Sequence, residues 1–328
     1  MRRIVMPGGS GHVGTLLARH FHGMGDEVTV LSRRPRSMPW RVIPWDGRTP
    51  GEWLHAIDGC AVVINLTGRS VDCRYTAANR REILESRVDA TAVIGRAIAQ
   101  VATPPAVWLN ASTATIYRHA FDRDMDEASG EPGGDEPGAP STWRFSIGVA
   151  KAWERAFFDA ATPWTRKVAL RSAMVMSPGR GGVLDVLTKL VRFGLGGRLG
   201  SGRQYFSWIH GTDFTRAVEF LIQREDLEGC VNVCSPNPVP NRDFMSALRK
   251  AAGVRLGIPA VRWMLEIGAP ILRTETELVL KSRRVVPGRL LDADFKFHFP
   301  SWPEAARDLL GSMNSAVRGG TPPPPCKL

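Results

Sequence analysis

Three glycines near the start of the sequence have the spacing of a nucleotide-binding loop. Gly8, Gly11 and Gly14 lie in PGGSGHVG, after the β-rich run Arg3–Met6 and before apolar residues at helical spacing. In such a loop the first glycine permits a tight turn, the second admits a pyrophosphate and the third lets the helix pack closely. The helix N-terminus then offers free N–H groups to the phosphates. A glycine-rich turn without a ligand is the alternative, and the strand–loop–helix context favours the nucleotide.

The residues after the second predicted strand indicate which dinucleotide would bind. The strand Glu27–Leu31 is followed by Ser32, Arg33 and Arg34, with no carboxylate. NAD sites carry an acidic residue here for the ribose 2′-hydroxyl, whereas arginine suits a 2′-phosphate. The sequence therefore predicts NADP(H), with NAD second. The alternative is that both arginines are solvated turn residues.

Alternating strands and helices must position this loop. The apolar runs Ala61–Leu66 and Ala106–Asn110 are typical of strands buried on both faces, and a long helix is predicted over Ala78–Val101. This alternation predicts an α/β fold with a Rossmann-type, doubly wound parallel sheet.

The remainder divides the chain into two predicted domains and a tail. We expect a dinucleotide-binding domain over 1–178 and 211–235, a smaller, mixed but mostly helical C-terminal domain over 179–210 and 236–314, and a disordered tail over 315–328. Further elements are predicted as helices over Val149–Ala161, Phe214–Gln223 (capped by Asp213) and Arg242–Ala252, and as strands over Lys167–Arg171, Tyr205–Ile209 and Gly229–Cys234. The acidic, Gly- and Pro-rich stretch 118–142 is expected to be a long surface loop, either mobile or closing over a site.

The composition indicates which classes of partner the protein is expected to bind. The net charge is +11, but arginine is spread along the chain and not interleaved with aromatics, which favours a phosphate-rich small ligand over nucleic acid. No apolar run reaches the ~18 residues of a membrane span, and the N-terminus does not resemble a signal peptide, so we expect a cytoplasmic protein. The five cysteines are scattered and are expected to be reduced, without a metal. The protein is expected to be a monomer or a homodimer.

Several segments resemble one family. The chain is similar over residues 1–312 to the extended short-chain dehydrogenase/reductases, in particular their atypical, sugar-nucleotide-epimerase-like branch, which has a small C-terminal domain of uncharacterised function. The resemblance rests on GGSGHVG (8–14), NLTG (65–68), ILESRVDAT (83–91), GLGGRLGSGRQYFSWIHGTD (194–213) and RRVVPGRLLDADFKFHFPSWPEA (283–305). Taken with the loop, it implies cofactor contacts at Gly8, Gly11, His12, Val13, Gly14, Ser32, Arg33, Arg34, Asp46, Leu66, Thr67, Gly68 and Arg87.

The resemblance also implies catalytic residues, with one departure. Working members use a Ser/Thr–Tyr–Lys group, in which the tyrosine exchanges a proton with the substrate oxygen. Thr113, with Ser112 second, matches the hydroxyl, and Lys151 matches the lysine, as a ribose contact or else a solvated helix residue. Ile147 occupies the tyrosine position and has no proton to give.

Four residues are implied as substrate contacts, each with a structural alternative. Arg203 and Gln204 match the positions where epimerases bind a diphosphate, and His210 would lie at the cleft rim or else bond to backbone. Tyr117 would supply a phenol or else be a packed aromatic, and Arg87 would bind an anion or else be a solvated helix residue. Two functions follow: an NADP(H)-dependent oxidoreductase or epimerase acting on a small, anionic substrate, or a cofactor-binding sensor or scaffold without turnover.

Overall fold

The computed structural model describes residues 1–179, 181–260 and 277–318. The strands are β1 (Arg3–Pro7), β2 (Glu27–Ser32), β3 (Arg41–Pro44), β4 (Val62–Asn65), β5 (Val107–Thr113), β6 (Arg166–Ser172), β7 (Met174–Met176), β8 (Tyr205–Phe206), β9 (Trp208–His210), β10 (Gly229–Val233) and β11 (Val239–Pro240). The helices are α1 (His12–Gly23), α2 (Leu54–Ile57), α3 (Ala77–Gln100), α4 (Ser141–Phe158), α5 (Val183–Arg192), α6 (Gly211–Gln223), α7 (Asn241–Ala251), α8 (Glu277–Leu280), α9 (Gly288–Asp292) and α10 (Trp302–Arg318). A 3₁₀ turn covers Ala114–Ile116.

Seven strands form a parallel sheet in the order β10-β6-β5-β4-β1-β2-β3. The strand order reverses between β1 and β4, and ligands of such folds bind at the carboxyl ends of the strands beside this point. The predicted Rossmann-type sheet is confirmed. The sequence did not predict β3, because Arg41–Pro44 is short and only half-buried, and it forms by pairing with β2.

Helices cover both faces of the sheet. On one face α1 and α6 bury apolar residues such as Phe21 and Leu221 against the strands. On the other face α3 and α4 bury Ile94 and Phe157. Because both faces are covered, the central strands carry continuous apolar runs.

A further apolar cluster lies beside the sheet. It joins β7, β9, α5, α7 and α10, and its centre is the pair Phe244 and Trp302, whose rings stack at 3.9 Å. The cluster is built largely from the segments predicted as the smaller domain, although Met176 of β7 contributes from the other side of the predicted boundary. The division into domains stays a prediction.

Two helix starts differ from the sequence prediction. Helix α4 begins at Ser141, eight residues before the predicted Val149, where Pro140 holds the extended backbone that precedes a first turn. Helix α6 begins at Gly211 and is capped by His210, whose Nδ1 accepts the N–H of Thr212 at 3.1 Å. The predicted cap Asp213 is wrong, because its carboxylate instead accepts the backbone N–H groups of residues 298 and 299.

The loop 118–142 is attached to the C-terminal part of the chain. Met125 is fully buried and forms a parallel bridge with Val285, and Arg284 pairs with Asp124 at 2.6 Å. Within the loop, Arg118 forms ion pairs with two acidic side chains. These contacts hold the loop against segment 282–286.

At the C-terminus, α10 continues to Arg318, so residues 315–318 of the predicted tail are helical, and residues 319–328 lie outside the described residues. The Gly-Gly and Pro-rich sequence begins only after Arg318. None of the helices described here is long and apolar enough to cross a bilayer. The four described cysteines carry free thiols.

Candidate active site

The glycine loop joins β1 to α1 at the carboxyl edge of the sheet. Gly8 has φ +72°, and a Cβ there would lie 2.7 Å from the backbone of Thr67. A Cβ on Gly14 would lie 2.5 Å from the backbone of Gly9. Packing therefore demands both glycines. Gly11 differs, because a Cβ there would meet only the carbonyl oxygen of Gly8, at 3.9 Å.

Helix α1 begins directly after this loop. Gly11 caps the helix in extended conformation, and the N–H groups of the first residues, His12 and Val13, precede the hydrogen-bonded ladder. Such N–H groups bind phosphate oxygens. The His12 side chain lies 2.7 Å from the hydroxyl of Ser177, and burial lowers the pKa of this imidazole, so that it is neutral at pH 7.

The end of β2 lies beside the same loop. Ser32 is buried, and its Oγ lies 3.0 Å from the Oγ of Ser10 and accepts the N–H of Arg34 at 3.2 Å. The side chains of Arg33 and Arg34 are exposed, and among the described residues neither has an ion pair or a hydrogen-bond acceptor. Two unneutralised guanidinium groups therefore lie next to the glycine loop.

Asp46 follows β3 and holds a turn. Its carboxylate accepts the N–H groups of Arg48 and Thr49 and the Thr49 hydroxyl. The hydrogen bonds from Thr49, and that from Arg48, lower the pKa of Asp46 to about 2. The carboxylate is exposed and charged at neutral pH, and both of its oxygens accept hydrogen bonds in the turn.

The segment after β4 packs under the glycine loop. The N–H of Leu66 donates to Pro7 at 2.8 Å, and the backbone of Thr67 contacts Gly8. The Thr67 hydroxyl oxygen is buried and has no hydrogen-bond partner within the described part of the chain. Buried hydroxyls are normally hydrogen-bonded, so this orphan beside the loop fits a ligand oxygen.

Arg87 lies close to Gly68 of this segment and also lines a cavity. A Cβ on Gly68 would lie 3.0 Å from the Arg87 guanidinium carbon, and the guanidinium lies over the Trp153 ring at 5.1 Å. It donates to the carbonyl of Ile83 at 2.8 Å, and no described carboxylate pairs with it. Burial lowers the pKa of Arg87 to about 10, so the group remains cationic at pH 7.

The cavity has a volume of about 250 Å³ and lies at the carboxyl end of β5. Helix α3 contributes Arg87, and β5 contributes Ser112 and Thr113, of which Thr113 Oγ1 accepts the N–H of Thr115 at 3.1 Å. The structure thus brings together the two predicted catalytic hydroxyls and one predicted anion-binding arginine.

Ser112 also belongs to a buried network behind the cavity. Its hydroxyl donates to Glu154 at 2.6 Å, and Arg171 pairs with the same carboxylate at 2.8 Å. Tyr117 donates to Asn232 at 3.0 Å and accepts from Arg171 at 2.9 Å. Tyr117 is 1% exposed and does not line the cavity, so these contacts match a packed aromatic with a satisfied hydroxyl.

Helix α4 carries the two positions of the family's Tyr–Lys pair. Ile147 is 1% exposed and faces Gly134 of the loop 118–142. Lys151 Nζ lies 3.2 Å from the exposed carboxylate of Asp135. Neither residue lines the cavity.

The three remaining predicted substrate residues lie away from the cavity lining. His210 caps α6, lies 3.2 Å from Asp308 and stacks on Phe299 at 3.9 Å. Gln204 is buried and donates to the carbonyl of residue 199 at 2.7 Å. Arg203 is exposed. The structure does not bring them together with Thr113.

The sequence did not predict a functional role for five polar or charged cavity residues, namely Tyr75, Thr115, Ser146, Glu277 and Arg283. The Tyr75 hydroxyl lies 3.3 Å from Ser146 Oγ, and Ser146 donates a hydrogen bond to Glu277. No spacing rule links positions so far apart in the chain. The one sequence feature that could have drawn attention to Tyr75 is the composition. The sequence has only three tyrosines, and Tyr75 lies two residues before α3.

Comparisons with known proteins agree with this architecture. Residues 4–234 match the model of the NAD dependent epimerase/dehydratase family, and residues 262–309 match a domain of unknown function (DUF1731). The Bos taurus epimerase family protein SDR39U1 is 32% identical over 314 residues, covering 94% of this chain and 99% of the relative. The Mycobacterium bovis epimerase family protein Mb2239 is 31% identical, covering 92% and 95%. The crystal structure of human SDR39U1 (isoform 2) with NADPH superposes with a TM-score of 0.82 at 28% identity, covering 94% of this chain and 99% of that one.

Proposed function

Because the chain belongs to the NAD-dependent epimerase/dehydratase family, we propose that it is an NADP(H)-dependent oxidoreductase or epimerase acting on a small, anionic substrate in the cavity beside Thr113. The dinucleotide would lie along the glycine loop, and when bound it supplies hydride transfer. The protein's own residues bind it, orient the substrate and move the proton.

The cofactor assignment rests on the fit of the loop to a phosphate ligand. Gly11 leaves space where a side chain would stand, and the orphan hydroxyl of Thr67 lies beneath the loop. Arg33 and Arg34 have no ion pair among the described residues and directly follow β2, where a 2′-phosphate would be bound. The human relative crystallised with NADPH supports the same choice.

The observation that carries the substrate assignment is the Arg87 guanidinium in the cavity wall. It has no described carboxylate partner, and a charged group in such a place is stabilised by an opposite charge. The cavity volume of about 250 Å³ lies below the ~300–1,000 Å³ of pockets for drug-sized ligands, which favours a substrate of a few carbons.

Cofactor titration tests the first half of the proposal. NADPH and NADH are titrated by nicotinamide fluorescence into the wild type and into Arg33→Ala and Arg34→Ala. Each variant is expected to bind NADPH about 10-fold more weakly with NADH affinity unchanged, because a charge-assisted bond to phosphate contributes about 1.5–3 kcal/mol. Arg96→Ala is the matched control, since this exposed arginine lies near the end of α3, at the opposite edge of the sheet. Tighter binding of NADH than of NADPH by the wild type would overturn the assignment.

Turnover tests the second half. Nicotinamide absorbance is followed with a panel of 2- and 3-oxo acids and the corresponding hydroxy acids, and Arg87→Met is expected to raise KM for the active substrate. A second function, a cofactor-binding sensor or scaffold without turnover, is favoured by the buried Ile147 where the family has its tyrosine. Tight NADPH binding with no turnover of any substrate would select that function.

A further inference from the structure

The cavity wall includes charged side chains from the C-terminal part of the chain. Glu277 and Arg283 are 1% and 8% exposed, and both lie within the residues that match the domain of unknown function. Arg283 Nε donates to Thr115 Oγ1 at 3.1 Å, and its guanidinium lies 3.9 Å from Glu277 Oε1. The Arg283 backbone N–H donates to Tyr205 at 2.8 Å, which fixes the segment against β8. This domain therefore closes the cavity with an ion pair.

A line of hydrogen-bonding groups leads from this ion pair along the cavity wall. Ser146 donates its hydroxyl hydrogen to Glu277 Oε2, and its Oγ lies 3.3 Å from the hydroxyl of Tyr75. A serine hydroxyl has one hydrogen, so Tyr75 is the donor in the contact between the two hydroxyls. A phenol oxygen that donates in this way retains lone pairs that can accept a proton from a substrate hydroxyl.

Two cations, Arg87 and Arg283, line the same cavity as the Tyr75 phenol. Arg87 and Arg283 both interact electrostatically with its oxygen. A positive charge within a few ångströms stabilises negative charge developing on a phenol. In the family's usual group this is the task of the lysine, whereas Lys151 is paired with an exposed aspartate outside the cavity lining.

We propose that Tyr75, Ser146 and Glu277 form the proton relay of the active site and replace the phenol that is missing at Ile147, so that the domain of unknown function supplies the terminal base. The inference rests on the proposed function. In the oxidising direction the C–H electron pair of the substrate alcohol passes as hydride to NADP⁺, giving NADPH, and the C=O bond forms. The hydroxyl proton passes to Tyr75, the Tyr75 proton to Ser146, and the Ser146 proton to the Glu277 carboxylate. Reduction follows the same steps in reverse.

Turnover of the most active hydroxy acid from the panel tests the catalytic role. Tyr75→Phe and Glu277→Gln are each expected to lower kcat about 100-fold or more, the usual contribution of a general acid–base group, with NADPH affinity unchanged. Glu277→Asp retains a carboxylate and is expected to recover part of the loss. Glu136→Gln is the matched control, a nearby carboxylate on the loop 118–142 that does not line the cavity. A Tyr75→Phe variant with wild-type kcat would overturn the relay.

An NMR measurement on the protein without substrate separates this inference from the proposed function. The chain has three tyrosines, so ¹³Cζ labelling gives three signals, and Tyr75→Phe identifies one of them. The Tyr75 signal is expected to shift with pH as Glu277 titrates, and the shift should vanish in Glu277→Gln and in Ser146→Ala but persist in Glu136→Gln. If the shift is absent from the wild type, the relay is wrong even where turnover is observed. If the shift is present but no substrate of the panel turns over, the proposed function is wrong and the relay has no catalytic role.

Discussion

Ser112 donates its hydroxyl to Glu154 across 2.6 Å, whereas the neighbouring Thr113 directs its hydroxyl oxygen to the backbone N–H of Thr115 at the cavity. The two predicted catalytic hydroxyls are therefore not equivalent. The Glu154 carboxylate also pairs with Arg171, so the Ser112 bond belongs to the buried network behind the cavity.

Replacing Ser112 should affect stability more than cofactor binding. Ser112→Ala removes one donor from a buried carboxylate, which costs about 1–3 kcal/mol in the free energy of unfolding. Chemical denaturation measures this loss, and NADPH affinity is expected to stay within twofold. A variant of wild-type stability would show that the bond to Glu154 contributes nothing.

Replacing Thr113 should affect turnover. Thr113→Val retains the shape but removes the hydroxyl that would hold the substrate oxygen, and we expect kcat/KM to fall about 100- to 1,000-fold, as for one lost hydrogen bond in a transition state. The melting temperature should change little, because the lost intramolecular bond is a single partly buried cap. Unchanged kcat/KM would remove Thr113 from the catalytic residues.

The glycine loop allows a matched pair of alanine variants. Gly11→Ala places a methyl group in the open space at the start of α1, while Gly23→Ala places one at the end of the same helix with nothing within 4 Å. We expect Gly11→Ala to fold but to bind NADPH about 10-fold or more weakly, since the methyl group occupies the phosphate position. Gly23→Ala should bind normally and gain up to about 1 kcal/mol of stability from helix propensity. Equal NADPH affinities in the two variants would contradict the placement of the phosphates.

Restoring the family's tyrosine should not restore the family's chemistry. Ile147 is buried against Gly134, so Ile147→Tyr overpacks this contact and should lower the free energy of unfolding by about 1–3 kcal/mol. Ile147→Val is the control, with a loss of about 0.5–1.5 kcal/mol. Calorimetry measures both, and a gain of turnover in Ile147→Tyr would show that position 147 can reach the substrate after all.

Lys281 should make stability depend on pH. It is fully buried and donates to the carbonyl of Thr115 at 2.7 Å, and burial, with the nearby charge of Arg283, lowers the pKa of Lys281 to about 7. In the unfolded chain a lysine has a pKa of about 10.4. Between these values the unfolded state binds more protons, so the free energy of unfolding contributed by this group rises with pH, by about 1 kcal/mol per pH unit.

Comparison with Lys281→Met isolates that contribution. Denaturation of both proteins from about pH 7 to about pH 10 should show the wild type gaining stability relative to the variant. Lys250→Met replaces an exposed lysine and should follow the wild-type curve. Parallel curves for the wild type and Lys281→Met would contradict the lowered pKa.

The sequence was sufficient for six of the seven strands of the sheet and for the glycine loop. Strands such as Val62–Asn65 are buried throughout and carry an apolar run, here Val62 to Ile64, because helices cover both sheet faces. The glycine spacing reflects close contacts of the loop with neighbouring backbone. Structure that depends on local patterns of this kind can be predicted from the sequence alone. Capping was less predictable, because the choice of His210 over Asp213 depends on backbone groups more than eighty residues away.

The cavity was harder to predict, because its lining residues come from four distant parts of the chain, 71–87, 112–115, 145–153 and 277–283. Tyr75 precedes α3, Ser146 lies on α4, and Glu277 and Arg283 lie near the end. Nothing local distinguishes Ser146 from any other helical serine. Its role depends on the carboxylate that packs against it, which only the assembled structure reveals.

The bridge between Met125 and Val285 bears on the order in which the chain folds. The buried bridge of Met125 can form only when residue 285 arrives, and on the ribosome that residue emerges some 160 positions later. Domains generally fold from the N-terminus during synthesis. The nascent sheet can therefore form early with its dinucleotide loop in place. The cavity stays open to water until Glu277 and Arg283 have been synthesised and complete its wall. During biosynthesis the chain would therefore be able to bind the dinucleotide before it is able to catalyse the reaction.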